Sequence, residues 1–337
     1  MTQFQHGGDI LQFASRIKCP VEEVIDLSSN INFIQPKTNI DFNHLNISNY
    51  PNYDKLYSSI ATLYGVNTNQ IELFNGGSSA IFSLFRFFNL QTSVIYSPAY
   101  LEYKKASELF NYRTTTINRF GKLEQKVPTN SLVIFVNPST PDGKFYNIEK
   151  LIQRWIEQKC TILIDESFLD FTNFQSAIQY INQYDKLYIL KSMTKFYSSA
   201  GIRVGTILSN SNNIKRLKKQ EPLWKISDFD SHYLQAVLKD QKFPKISKEI
   251  NQQNRAYLVD MLKASKHIKT LFPSSANYIL VQLNNLTAKE FQELLIPYKI
   301  MIRDCSNFDF LDEQYVRIAV KSKKALKVLE EALKDNL

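Results

Sequence analysis

The chain has 337 residues, 44% of them apolar and 22% charged, with a formal net charge of +9 and three cysteines. That length and apolar content suit two domains, or one large domain with a smaller partner, while Cys19, Cys160 and Cys305 lie far apart with no CxxC or Cys/His pairing, which indicates neither a disulfide framework nor a zinc site. The positive excess is mostly lysine scattered over helical segments such as 215–220 and 321–337, the mark of solvated helix faces rather than a nucleic-acid interface, and the longest apolar runs, such as 132–136, are strand-sized rather than membrane-spanning. With no apolar leader at the start, a reducing cytoplasm is the expected compartment.

The first forty residues read as an arm with polar turns, HGGD and SSNIN, packing with the small domain. From about residue 70 to 210, β-rich runs at 93–96, 132–136, 161–165, 187–191 and 204–208 alternate with amphipathic segments at 78–88, 101–110 and 148–158. This pattern predicts an α/β fold: a mostly parallel sheet with helices on both faces. Ligands gather at the carboxyl ends of such strands, where Asn137, Asp165, Ser192 and Lys195 fall. After about residue 230 long helices give way to short strands alternating with helices, a smaller α+β domain. The expected division is therefore an arm at 1–40, a large domain at 41–230 and a small one at 231–337, the boundary lying inside a long helix.

The segment KSMTKFYSSAGIRVG (191–205) sets Lys195 among Ser192, Thr194, Ser198 and Ser199, with Arg203 a turn or two further on. One amine that can be nucleophilic thus stands beside groups suited to a phosphate, as a phosphorylated aldehyde cofactor requires. Asp165 ends a buried-looking strand, with Lys195 assigned to the next strand but one; a carboxylate there can keep a pyridine nitrogen protonated. In FNGGSSAIFSLF (74–85) two glycines and two serines precede an apolar helix, so Gly77, Ser78 and the backbone N–H groups can bind a phosphate, although a glycine turn with a serine N-cap explains the same residues. Tyr100, in SPAYLEY (97–103), can stack on a cofactor ring or pack as ordinary core.

Taken in order, the phosphate loop, the aromatic, NPSTPDGK (137–144), DESFLDF (165–171), SMTKFY with GIRVG, and the arginine of YVRIAV (315–320) resemble the fold-type-I aminotransferase superfamily of pyridoxal-phosphate enzymes almost end to end. Within it the chain is similar to the histidinol-phosphate aminotransferase branch, and most to the threonine-phosphate decarboxylases of cobalamin synthesis, through HGGDI, DLSSNIN, YPNYD, DESFLDF, TKFY and MIRDCSNF. The resemblance implies pyridoxal 5'-phosphate as cofactor, with Lys195 as its Schiff-base lysine, Asp165 paired with the pyridinium and Tyr100 stacked on the ring. Gly77, Ser78, Thr140, Ser192 and Arg203 would complete the cofactor site. Tyr50 would reach the cofactor phosphate of a neighbouring subunit, which implies a homodimer with shared sites. Arg303 and Arg317 would bind substrate carboxylate or phosphate, and His6, Gly7, Gly8, Asn30 and Asn32 would form an arm over the substrate.

Two positions depart from the superfamily's pattern: Thr140 stands where an asparagine usually donates to the ring oxygen of the cofactor, and Phe168 where a tyrosine often does, with Asn137 near enough to compensate. Lys321 replaces an arginine expected after RIAV. The leading expectation is decarboxylation of phosphoserine or phosphothreonine. The alternative is an aminotransferase using glutamate with histidinol phosphate or a phosphorylated ketone such as dihydroxyacetone phosphate. A non-catalytic regulator is disfavoured by the intact Lys195, Asp165 and Arg203.

Overall fold

A computed structural model of the protein describes residues 7–335. The arm contributes strand β1 (Ile25–Asp26); the large sheet is built from β2 (Ile71–Phe74), β3 (Thr92–Ser97), β4 (Arg113–Asn118), β5 (Leu132–Val136), β6 (Thr161–Asp165), β7 (Leu187–Lys191) and β8 (Gly205–Leu208). Their order is β2-β8-β7-β6-β5-β3-β4. The four pairings from β7 to β4 are parallel, and β8 runs antiparallel between β7 and β2.

β5, β6 and β7 are unbroken buried runs because helices cover both faces. Successive side chains serve opposite cores: Val133, Phe135, Ile162 and Ile164 join Trp155 on one face, while Leu132, Ile134 and Leu163 join Phe85 and Tyr103 on the other. The expected helices are Gly76–Phe88, Glu102–Leu109 and Glu149–Glu157. β2, Ile-Glu-Leu-Phe, is too short to announce itself, and β4 lacks an apolar alternation. β4, Arg-Thr-Thr-Thr-Ile-Asn, is largely exposed at the sheet edge, where Thr-rich sequence suffices.

One placement differs from expectation. Lys195 follows β7, the strand adjacent to β6, on the one-turn helix Met193–Phe196. The two strand ends are therefore neighbours, and the carboxylate and the amine line the same cavity.

A second, antiparallel sheet is ordered β12 (Arg303–Asp304), β13 (Tyr315–Ala319), β10 (Tyr278–Leu283), β9 (Ile268–Leu271). β1 pairs in parallel with β11 (Ile300–Met301), and Leu27 bridges onward, donating to Met301 O and accepting from Ala319 N. The helix Phe243–Ala264 begins in the large apolar core at Phe243 and ends in the second core at Leu258, Met261 and Leu262. No helix among the described residues is long and apolar enough to cross a membrane.

Candidate active site

Asp165 ends β6 and is 4% exposed, and three donors hold its carboxylate. Ser167 gives its backbone N–H (2.9 Å) and hydroxyl (2.5 Å) to Oδ1, and Tyr103 gives its hydroxyl to Oδ2 at 2.8 Å. Both carboxylate oxygens are therefore fixed in place by donors from two different segments. Ser167 carries a readable signal, because a hydroxyl two residues after a strand-end aspartate suits a local turn. Tyr103 shows only its position one turn beyond Tyr100.

Lys195 is partly buried, with Nζ 3.3 Å from Ser192 Oγ and 5.1 Å from the centre of the Phe168 ring. Burial pulls its amine below the ordinary lysine range; Asp165 opposes that shift, while Arg203 and Arg317 reinforce it. The amine is therefore more readily neutral, and so nucleophilic, than a surface lysine.

The turn before Gly76–Phe88 is shaped by glycine. Gly76 has φ +79°, and a Cβ there would lie 2.4 Å from Arg203 Nη2. A Cβ on Gly205 would lie 2.7 Å from the backbone of Gly76 and Gly77. Two bare backbones thus pack together and leave the helix N-terminus open beside the Arg203 guanidinium, a natural anion seat. Ser78 Oγ lies 3.1 Å from the Tyr100 hydroxyl, and Gly77, Ser78, Tyr100, Asp165, Ser192, Lys195 and Arg203 line one cavity of about 160 Å³.

A second cavity of about 280 Å³ shares Ile31, Tyr100, Asp165 and Lys195 with the first and continues to Arg303 and Arg317. These arginines are register partners on β12 and β13, each 7% exposed. Arg317 donates to Thr140 Oγ1 at 3.2 Å and to Ser28 O at 3.0 Å, with its guanidinium 5.2 Å from the Tyr278 ring centre, and its buried Nε has no hydrogen-bond partner. Arg303 donates to Asp304 O and Asn307 Oδ1. Gly7 and Asn30 also line this cavity, and Gly8 donates to Ser28 Oγ. Gly7 has no room for a side chain, since a Cβ would lie 2.8 Å from Ser28 O.

Other expected site residues lie elsewhere. Asn137 does not line either cavity; both ends of its amide are taken by the backbone of Tyr146, at 2.9 and 3.0 Å. Thr140 faces Arg317 at the arginine end of the second cavity. Tyr50 is 74% exposed and stacks on Trp224 away from both cavities. Asn32 lines neither cavity but braces the turn that carries Lys195, its backbone N–H donating to Lys195 O, its side-chain amide to Phe196 O, and its carbonyl accepting the Ser198 hydroxyl at 2.7 Å. Lys321 donates to Ile31 O, holding the same loop. His6 lies outside the described residues. Arg119, which carries no motif, is 2% exposed and donates to Tyr96 O and Val136 O, tying together the ends of β3 and β5.

The model of the aminotransferase class I and II family matches residues 22–334, and the chain belongs to that family, whose members depend on pyridoxal phosphate. A protein of Caldanaerobacter subterraneus subsp. tengcongensis, provisionally named a threonine-phosphate decarboxylase, is 28% identical over 99% of this chain and 94% of its own length. The threonine-phosphate decarboxylase of Salmonella typhimurium is 23% identical over 94% of this chain and 92% of its own. The crystal structure of the histidinol-phosphate aminotransferase from Clostridium acetobutylicum matches with a TM-score of 0.82 and 30% identity, covering 93% of this chain and 99% of that one.

The residues present fit the family's cofactor. A side-chain-free turn at a helix N-terminus with Arg203 suits its phosphate, a buried carboxylate suits its ring nitrogen, and an amine held below its usual range suits its aldehyde.

Proposed function

We propose that the protein decarboxylates a small O-phosphorylated amino acid, phosphoserine or phosphothreonine, to the phosphorylated amino alcohol, working as a homodimer in which Tyr50 serves the partner's cofactor phosphate. The observation that carries this reading is the pair of buried arginines on adjacent strands at one end of a small cavity whose other end is Lys195. Two guanidinium groups suit a substrate with two anionic groups, a carboxylate and a phosphate.

Pyridoxal phosphate, when bound, supplies an electron sink for the pair released at the substrate's α-carbon. Gly77, Ser78, Ser192 and Arg203 would hold its phosphate, Asp165 its ring nitrogen and Lys195 its aldehyde carbon, with Tyr100 as one wall. Ser167 and Tyr103 fix the Asp165 carboxylate in the orientation in which it would meet the ring nitrogen. Arg317, held by Thr140 and Ser28, would orient one substrate anion through its guanidinium, and Arg303 the other. Fixing both anions decides which bond at the α-carbon is aligned for cleavage. Lys195, less readily protonated than a surface lysine, can carry a proton to the α-carbon once CO2 has left. Phe168 sets an apolar ring 5.1 Å from the Lys195 amine, with no hydroxyl to offer the cofactor's ring oxygen.

A second reading, transamination between glutamate and a small phosphorylated partner such as histidinol phosphate, draws on the likeness to the Clostridium acetobutylicum enzyme. Incubation of the cofactor-loaded protein with phosphoserine, phosphothreonine or glutamate separates the two. CO2 release with the aldehyde absorbance retained is expected; conversion to the amine form by glutamate without CO2 would replace decarboxylation with transamination.

A further inference from the structure

The rim of the substrate-side cavity is the loop that follows Arg303 on β12 and leads to Arg317 on β13. Its Phe308 is buried, lines the cavity, and lies 5.3 Å from the Arg303 guanidinium. Phe308 joins Cys305, Leu280 and Leu101 in one apolar cluster, a non-directional contact that holds the loop down without orienting it.

Asp309 does fix it. Oδ1 accepts from Lys104 Nζ at 2.9 Å, and Oδ2 accepts from Ser97 Oγ at 3.1 Å. Ser97 ends β3 three residues before Tyr100, and Lys104 follows Tyr103, which holds Asp165. One carboxylate therefore fastens the substrate-side loop to the segment that carries the cofactor-side tyrosines. The next residue, Phe310, has φ +65°, a left-handed conformation that a phenylalanine keeps only when its neighbours hold it.

We infer that Asp309 is a positioning residue for substrate capture. Bound to Lys104 and Ser97, it seats the loop so that Phe308 closes the cavity and backs the Arg303 guanidinium; when it lets go, the rim opens. Asp309 and Lys104 are both partly exposed, so the tie is weak enough to open for each substrate that enters. The inference rests on reading this cavity as the seat of a small anionic substrate.

Asp309→Ala and the charge swap Lys104→Asp with Asp309→Lys, both loaded with pyridoxal phosphate, test it. The readouts are the affinity for O-phospho-L-serine, followed through cofactor absorbance, and chymotrypsin cleavage after Phe308 without substrate, mapped by mass spectrometry. Asp309→Ala is expected to weaken O-phospho-L-serine binding about fivefold to tenfold with cofactor affinity unchanged, the scale of one lost charged anchor. It should also open the Phe308 site to cleavage, and the swap should recover part of both effects. Unchanged binding in Asp309→Ala, or a cofactor affinity that falls in parallel, overturns the inference. If the wild type itself fails to bind O-phospho-L-serine, the functional reading falls; the seating of the loop is then judged by cleavage, and equal cleavage of wild type and Asp309→Ala overturns it.

Discussion

The two ends of the active-site cleft are built by different means. In the proposed reading one is the cofactor end, made from the ends of adjacent parallel strands and one glycine turn, so Asp165, Ser192, Lys195, Gly76 and Gly77 are set by local geometry on a rigid sheet. The substrate end is assembled from the arm, the second sheet and a long loop, and Arg317 spans 177 and 289 residues of chain to reach Thr140 and Ser28. A strand-end site tolerates change in distant segments, whereas a site assembled from several segments is where relatives with one cofactor can diverge in substrate.

The largest effect should come from the cofactor end. Lys195→Ala removes the one lysine that, among the described residues, lines the cavity with Asp165 and the glycine turn, so turnover should fall at least about a thousandfold, with loss of the protein-bound cofactor absorbance. Retained absorbance with full turnover would show that another amine serves, and the division into two ends would fail at its firmest point.

At the substrate end, Arg317→Lys keeps the charge but loses the planar fork that reaches Thr140 and Ser28 while leaving Nε free. KM for the phosphorylated amino acid should rise roughly tenfold to a hundredfold, with kcat and cofactor affinity changing much less. Equal losses in cofactor affinity would mean that the two ends are one unit.

Glycine substitutions sharpen the contrast within the cofactor end. Gly205→Ala forces a methyl to 2.7 Å from backbone atoms that cannot swing away, so it should cost about 1–3 kcal/mol in urea unfolding and weaken cofactor binding as well. Gly201→Ala, with no atom within 4 Å of the new methyl, should stay within about 0.5 kcal/mol of wild type.

The same contrast explains what could be read from sequence. Strands 132–136, 161–165 and 187–191 were legible as apolar runs, and Lys195 and Asp165 followed because strand ends are where such sheets place ligands. Their adjacency was not legible: strand order is set by which faces pack best, not by spacing along the chain. Nor could sequence say that Thr140 turns to Arg317, that Tyr103 caps Asp165, or that Asn137 is taken up by Tyr146, because each depends on a partner brought close only by folding. Ser167 is the exception, its partner lying two residues away.

The smallest effect tests whether the cofactor end is built for function at a cost to stability. Burial holds the Lys195 amine below its ordinary range, so in the folded protein it binds a proton less tightly than in the unfolded chain, where its pKa is about 10.4. Between the depressed folded value and that unfolded one the unfolded state carries more protons, so this lysine makes stability rise with pH; below both values its full cost is felt. Lys195→Met removes the buried amine and keeps most of the side chain's bulk. Without cofactor the variant should therefore be more stable than wild type at neutral pH, by about 1 kcal/mol given that the amine is only partly buried and sits near the Ser192 hydroxyl. The advantage should shrink as the pH approaches 10, measured by urea unfolding at several pH values. A gain that does not depend on pH would trace to packing against Phe168 rather than to charge, and the amine would then not be held under strain before the cofactor arrives.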